Sequence, residues 1–171
     1  PCRPILHVPA NSGAKKIVIH IDGVRAFAAR DLVEMLTNDV LSRNMKPVLG
    51  VLPEDLSRDK KLVAYLKRNR CNLEITLHGL EESSEYPEFK HTDTSTFDSE
   101  RRAFVGVHRM LEDCNRAWRA KNLCVIAIHP DDFLTNNAFD TSKYQHYVSL
   151  LDTLRRLGAV SATLSDLSGN P

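Results

Sequence analysis

The sequence predicts an α/β fold built on a mainly parallel sheet. Two observations predict it. Short apolar runs, such as Ile17 to Ile21 and Leu123 to Ile128, alternate with segments whose apolar residues recur every three or four positions. Three of the runs also end alike: on Asp22 before Gly23, on His78 before Gly79, and on His129 before Pro130. Strands alternating with helices of this length imply parallel pairing through crossover helices. The periodicity fits either an open, doubly wound sheet or a small closed barrel.

Each element follows from its residues. Ile5 to Val8 reads as a short first strand and Ile17 to Asp22 as a second. A helix then carries Leu32, Val33, Leu36 and Val40 on one stripe, with Asn44 at its end. Pro47 to Leu52 is a strand stopped by Pro53. Ser57 is placed to cap a helix that turns Leu62, Val63 and Leu66 inward. Leu73 to Leu77 is the next strand. Residues Gly79 to Phe97 are rich in Glu, Ser, Thr and Asp and read as a long loop. Asp98 starts a helix with Ala103, Val107, Met110, Leu111, Cys114 and Trp118 at helical spacing. Leu123 to Ile128 is a strand. Thr141 or Ser142 caps a last helix, Gly158 ends it, and Ala159 to Leu164 closes the chain as a strand.

The 171 residues suffice for a single domain, 1–171, with a real core. Apolar content of 42% and charged content of 26% are those of a soluble globular protein. A net charge of +1 gives no electrostatic reason to expect nucleic acid as a partner. No apolar stretch is long enough to span a membrane. No signal peptide is visible, and the chain begins with Pro1 rather than Met, so cytoplasmic and exported locations both stay open. The four cysteines lack C-x-x-C spacing. Cys114, on a helical apolar stripe, and Cys124, inside a strand, read as buried free thiols.

The polar strand ends carry the candidate chemistry. In a parallel α/β sheet the carboxyl ends of the strands meet on one rim, where ligands bind. Asp22, His78 and His129 are expected there together. An acid and two histidines are the material of a metal or acid/base site. His20, two residues before Asp22, shares its face of the strand. Glu82 lies four residues beyond His78 and can fold back to share a cation. Each has a plainer role: a helix cap for Asp22, a core histidine for His20, a turn histidine donating one hydrogen bond for His129 with Asp131 and Asp132 solvated, and a solvated acidic loop for Glu82. The sequence holds no G-x-S-x-G, no G-x-x-x-x-G-K-[ST] and no G-x-G-x-x-G, which disfavours a serine hydrolase or a nucleotide enzyme.

The order of these elements resembles the polysaccharide deacetylases, carbohydrate esterases built on a distorted or incomplete (β/α) barrel, and a compact bacterial subgroup in particular. The resemblance rests on Ile19-His20-Ile21-Asp22-Gly23, on Glu74-Ile75-Thr76-Leu77-His78-Gly79-Leu80-Glu81-Glu82, and on Ile126-Ala127-Ile128-His129-Pro130. Pro47 to Pro53, Pro87-Glu88-Phe89 and the closing Ala162-Thr163-Leu164 add to it. It implies hydrolysis of an acetyl group from a sugar or polysaccharide. A divalent metal, usually zinc, activates the carbonyl and the water, while acid and base residues move protons. Carried over by position, Asp22 and His78 are metal ligands and His129 is the late acid. The usual base position holds Ile21, which leaves His20 as a replacement base. The second metal histidine falls on Glu82. The Arg-x-Pro-aromatic motif expected after Trp118 is missing. These departures keep a second function open: a non-catalytic relative that binds a glycan or a protein.

Overall fold

The β-branched run Ile17-Val18-Ile19 lies in the middle of the sheet, with every one of its side chains fully buried. The computed structural model describes residues 14–24, 30–77, 91–95, 97–98 and 103–163. The elements in chain order are β1 (Lys16–Val24), α1 (Arg30–Ser42), β2 (Pro47–Val51), α2 (Pro53–Leu56), α3 (Lys60–Asn69), β3 (Glu74–Leu77), β4 (His91–Ser95), β5 (Phe97–Asp98) and β6 (Ala103–Phe104). They continue with α4 (Val107–Arg119), β7 (Leu123–Ile128), a 3-10 turn (Pro130–Phe133), β8 (Leu134–Thr135), β9 (Ala138–Phe139), α5 (Thr141–Arg156) and β10 (Val160–Ser161).

The main sheet has the order β3-β2-β1-β7-β4, and every neighbouring pair is parallel. β10 adds to β1 beside Lys16 and Ile17, again parallel. The α/β class and the parallel sheet are therefore as the sequence predicts. The order is that of a barrel wall opened between β3 and β4. Among the described residues those two strands do not pair, so the sheet does not close.

The two faces of the sheet differ. Ile17, Ile19, Ile21, Leu49, Ile126 and Ile128 share one core cluster with the buried residues of α1, α3, α4 and α5. The alternate residues Val18, Val48, Leu123 and Val125 form a second, smaller cluster to which no described helix contributes. His20 and Asp22 belong to this second face by strand alternation. The helical layer thus leaves that face to the polar residues at the strand ends.

Several expected boundaries move, each for a local reason. The helix expected from Ser57 starts at Lys60 because Asp59, not Ser57, accepts from the backbone N–H groups of Lys61 and Leu62. Ser57 instead donates its hydroxyl to Glu54 O. Asp140, rather than Thr141 or Ser142, caps α5. The helix expected from Asp98 begins only at Val107, because Asp98 and Ala103 pair across the short β5–β6 ladder. The segment expected to be one loop contains β4, whose His91-Thr92-Asp93-Thr94-Ser95 pairs with β7. Its threonines favour a strand, but no apolar alternation announces it. The expected final strand is shortened to Val160–Ser161. Ile5 to Val8 lies outside the described residues.

The free-thiol reading of Cys114 and Cys124 is overturned. The two are joined in a disulfide that ties α4 to β7. Sequence distance hides the contact, since helix and strand must pack before the sulfurs meet.

Asp59 also holds Arg30, with Nη1 at 3.1 and 3.0 Å from its two carboxylate oxygens. Asp59 is 2% exposed, so it is a cap and a largely desolvated partner at once. Asp59→Ala removes the cap and leaves the Arg30 guanidinium without this carboxylate. The expected loss is about 2–4 kcal/mol, read as a lower midpoint of denaturant unfolding at unchanged slope.

Candidate functional site

β1 delivers two polar side chains to one place. The register pairs Ile21 with Leu49 of β2 and with Ile128 of β7. One residue further on, Asp22 lies beside Gly50 and within reach of His129. The β1–β2 register then shifts before Val24 pairs with Val51. Gly23 takes up the extra residue at φ +66, a left-handed conformation that suits glycine. Its N–H donates to Asp22 Oδ1 at 2.8 Å, which fixes the carboxylate over the sheet.

Gly50 makes the room. A Cβ at this position would lie 2.5 Å from Asp22 Oδ1 and 3.0 Å from His20 Nε2. Two donor atoms, one nitrogen and one oxygen, thus face a single point above the β2 backbone. His20 is 4% exposed and reaches that point from within the second face of the sheet.

His129 closes the site from β7. Its Nε2 is 3.9 Å from Asp22 Oδ2, and its Nδ1 is 3.4 Å from Asp132 Oδ2. Pro130 begins the 3-10 turn directly after the strand. The turn brings Asp132 back onto the histidine, and Asp132 N–H donates to His129 O at 3.0 Å. Fully buried Phe133 anchors the turn in the core. The imidazole is consequently oriented, with one nitrogen toward Asp132 and the other toward Asp22. Its side chain is 42% exposed, while those of Asp22 and Asp132 are 18% and 12% exposed. The histidine can therefore meet a solute that the carboxylates only face.

Of the residues selected from sequence, Asp22, His20 and His129 come together at the carboxyl ends of β1 and β7. His78 and Glu82 lie outside the described residues. Two further members escaped the sequence reading. Gly50 had a signal, since an isolated glycine in an apolar strand marks a close approach. Asp132, read as solvated, had a weaker one: a carboxylate three residues past a histidine, across a turn opened by proline.

The donor set suits a metal of zinc type, which takes imidazole nitrogen and carboxylate oxygen. The carboxylate of Asp22 supplies oxygen of the kind such an ion takes, and His20 Nε2 lies beside it over Gly50. Among the described residues no group of three or more His, Cys, Asp or Glu is arranged to hold one. Without a metal, the same groups can accept, hold and return a proton.

No described helix is long and apolar enough to cross a membrane. No family model matches the sequence, and no curated protein does. Among solved structures, the chain is similar to a crystal structure of a peptidoglycan N-acetylglucosamine deacetylase. The identity is 10%, over 90% of this chain and 88% of that one, with a TM-score of 0.44. At that score the likeness decides nothing about activity.

Proposed function

We propose that this chain is a metal-dependent hydrolase that removes an acetyl group from a sugar or polysaccharide. The observation that carries the reading is the meeting of His20 and Asp22 over Gly50, with His129 against the other oxygen of Asp22. Asp22 is assigned as a metal ligand, with His78 and Glu82 as the further ligands. The ion, zinc by its donor types, would supply Lewis-acid polarisation of the acetyl carbonyl.

The chain's own residues then divide the proton work. Ile21, at the position where a second acid is usual, is fully buried in the main core and has no proton to exchange. His20 is assigned to accept the proton of the attacking water, in place of the acid that Ile21 lacks. His129, whose side chain is 42% exposed, is assigned to give a proton to the departing nitrogen or oxygen of the sugar. Water adds to the carbonyl carbon, the bond to the sugar breaks, and acetate and the free amine or hydroxyl leave. Asp132 keeps the His129 ring turned for this step.

The buried Ile21 also favours a second reading, a non-catalytic domain that binds a glycan or a protein. One experiment separates the two. The protein is stripped with a chelator, reloaded with zinc or cobalt, and assayed for acetate release from N- and O-acetylated oligosaccharides. Release should require the metal and should fall by about 10²–10⁴ in His129→Ala, the usual worth of a positioned acid. Binding of an oligosaccharide without metal uptake or acetate release would give the binding domain the better claim.

A further inference from the structure

We infer that this chain matures in an oxidising compartment, where the bond between Cys114 and Cys124 is laid down as a permanent part of its core. Both residues are fully buried in the main cluster, one on α4 and the other on β7. Their Cα atoms are 5.1 Å apart, within the roughly 4.4–6.8 Å span that a disulfide bridges without backbone movement. Cys71, in the turn between α3 and β3, is disulfide-bonded as well. Among the described residues no cysteine is free. A reducing cytoplasm keeps thiols reduced, so a chain with every described cysteine bonded is the pattern of an exported protein.

Burial also decides what kind of bond this is. Exchange needs a thiolate to reach a sulfur, and both sulfurs lie beneath α4. The Cys114–Cys124 bond is thus structural, and not a switch thrown in the folded protein. It forms by thiol–disulfide exchange with an oxidising disulfide donor. One cysteine thiolate attacks the donor, the second displaces the donor's thiolate, and the pair loses two protons and two electrons to it. Cys124 lies on β7, the strand that leads into His129, so the bond ties this strand to the helical layer. The inference is independent of the hydrolase reading and holds for a binding domain equally.

The test produces the chain by two routes, in a reducing bacterial cytoplasm and, with an added leader, in the periplasm. Each product is denatured in guanidinium chloride, treated with iodoacetamide before any reductant, digested and mapped by mass. The periplasmic product should yield a peptide pair linking Cys114 to Cys124 and no alkylated Cys71. Reduced in guanidinium chloride and refolded under dithiothreitol, it should melt lower than the bonded form by on the order of 5–10 °C. The cytoplasmic product should be alkylated at these cysteines and melt correspondingly lower, or fail to fold. Alkylated Cys114 and Cys124 in the periplasmic product would overturn the inference, as would equal melting temperatures for the bonded and reduced forms.

Discussion

Asp22→Asn is expected to lower metal-dependent acetate release by about 10³-fold or more while the protein stays folded. The amide keeps the shape of the carboxylate and can still accept from Gly23 N–H. It loses the negative charge that faces both the metal space and His129 Nε2. Loss of charge stabilisation at a metal centre amounts to several kcal/mol, and each ~1.4 kcal/mol is tenfold in rate. Zinc content by elemental analysis should fall in parallel, and the melting temperature should move little because Asp22 is partly exposed. A variant with full zinc and full activity would remove Asp22 from the proposed chemistry.

Gly50→Ala is the second large effect, and it strikes the same place from below. In an ordinary strand, alanine in place of glycine is favourable by roughly 0.5–1 kcal/mol. Here the new methyl would sit 2.5 Å from Asp22 Oδ1, which is itself tied to Gly23 N–H. Either the carboxylate leaves that hydrogen bond or β2 moves away from β1. Overpacking of this kind costs about 1–3 kcal/mol and outweighs the gain. Displacing a reacting group by an ångström costs on the order of 10²-fold in rate. The variant should therefore be less stable in denaturant and nearly inactive. Unchanged stability together with unchanged turnover would mean that the two side chains do not lie over β2.

The parallel class was legible because it follows from patterns that need no distant partner. The Ile17 run, the Leu123 run and the stripe of Val33, Leu36 and Val40 each declare their own element. What stayed hidden depends on contacts across the sequence. β4 has no apolar alternation and becomes a strand by pairing with β7. Asp59 outcompetes Ser57 as a cap because its carboxylate serves two backbone N–H groups and Arg30 together. In the site, Asp22 and His129 could be selected because both close apolar runs. Asp132 could not, since its partner is set by the turn after Pro130. The roles given to His78 and Glu82 rest on a strand-end position, a spacing of four and the resemblance.

The pairing of β1 has a consequence for synthesis. β1 leaves the ribosome ahead of every other described element, yet it is bordered by β7 and β10, which leave long after it. Among the described strands only β2 can join it early. Until β7 is made, the apolar run Ile17 to Ile21 must wait without that described neighbour, a template for the wrong strand. Pairing across so long a stretch of chain also makes folding slow. Asp22 and His129 come together only when that wait ends, so the nascent chain can have no working site until β7 and the turn after it have emerged.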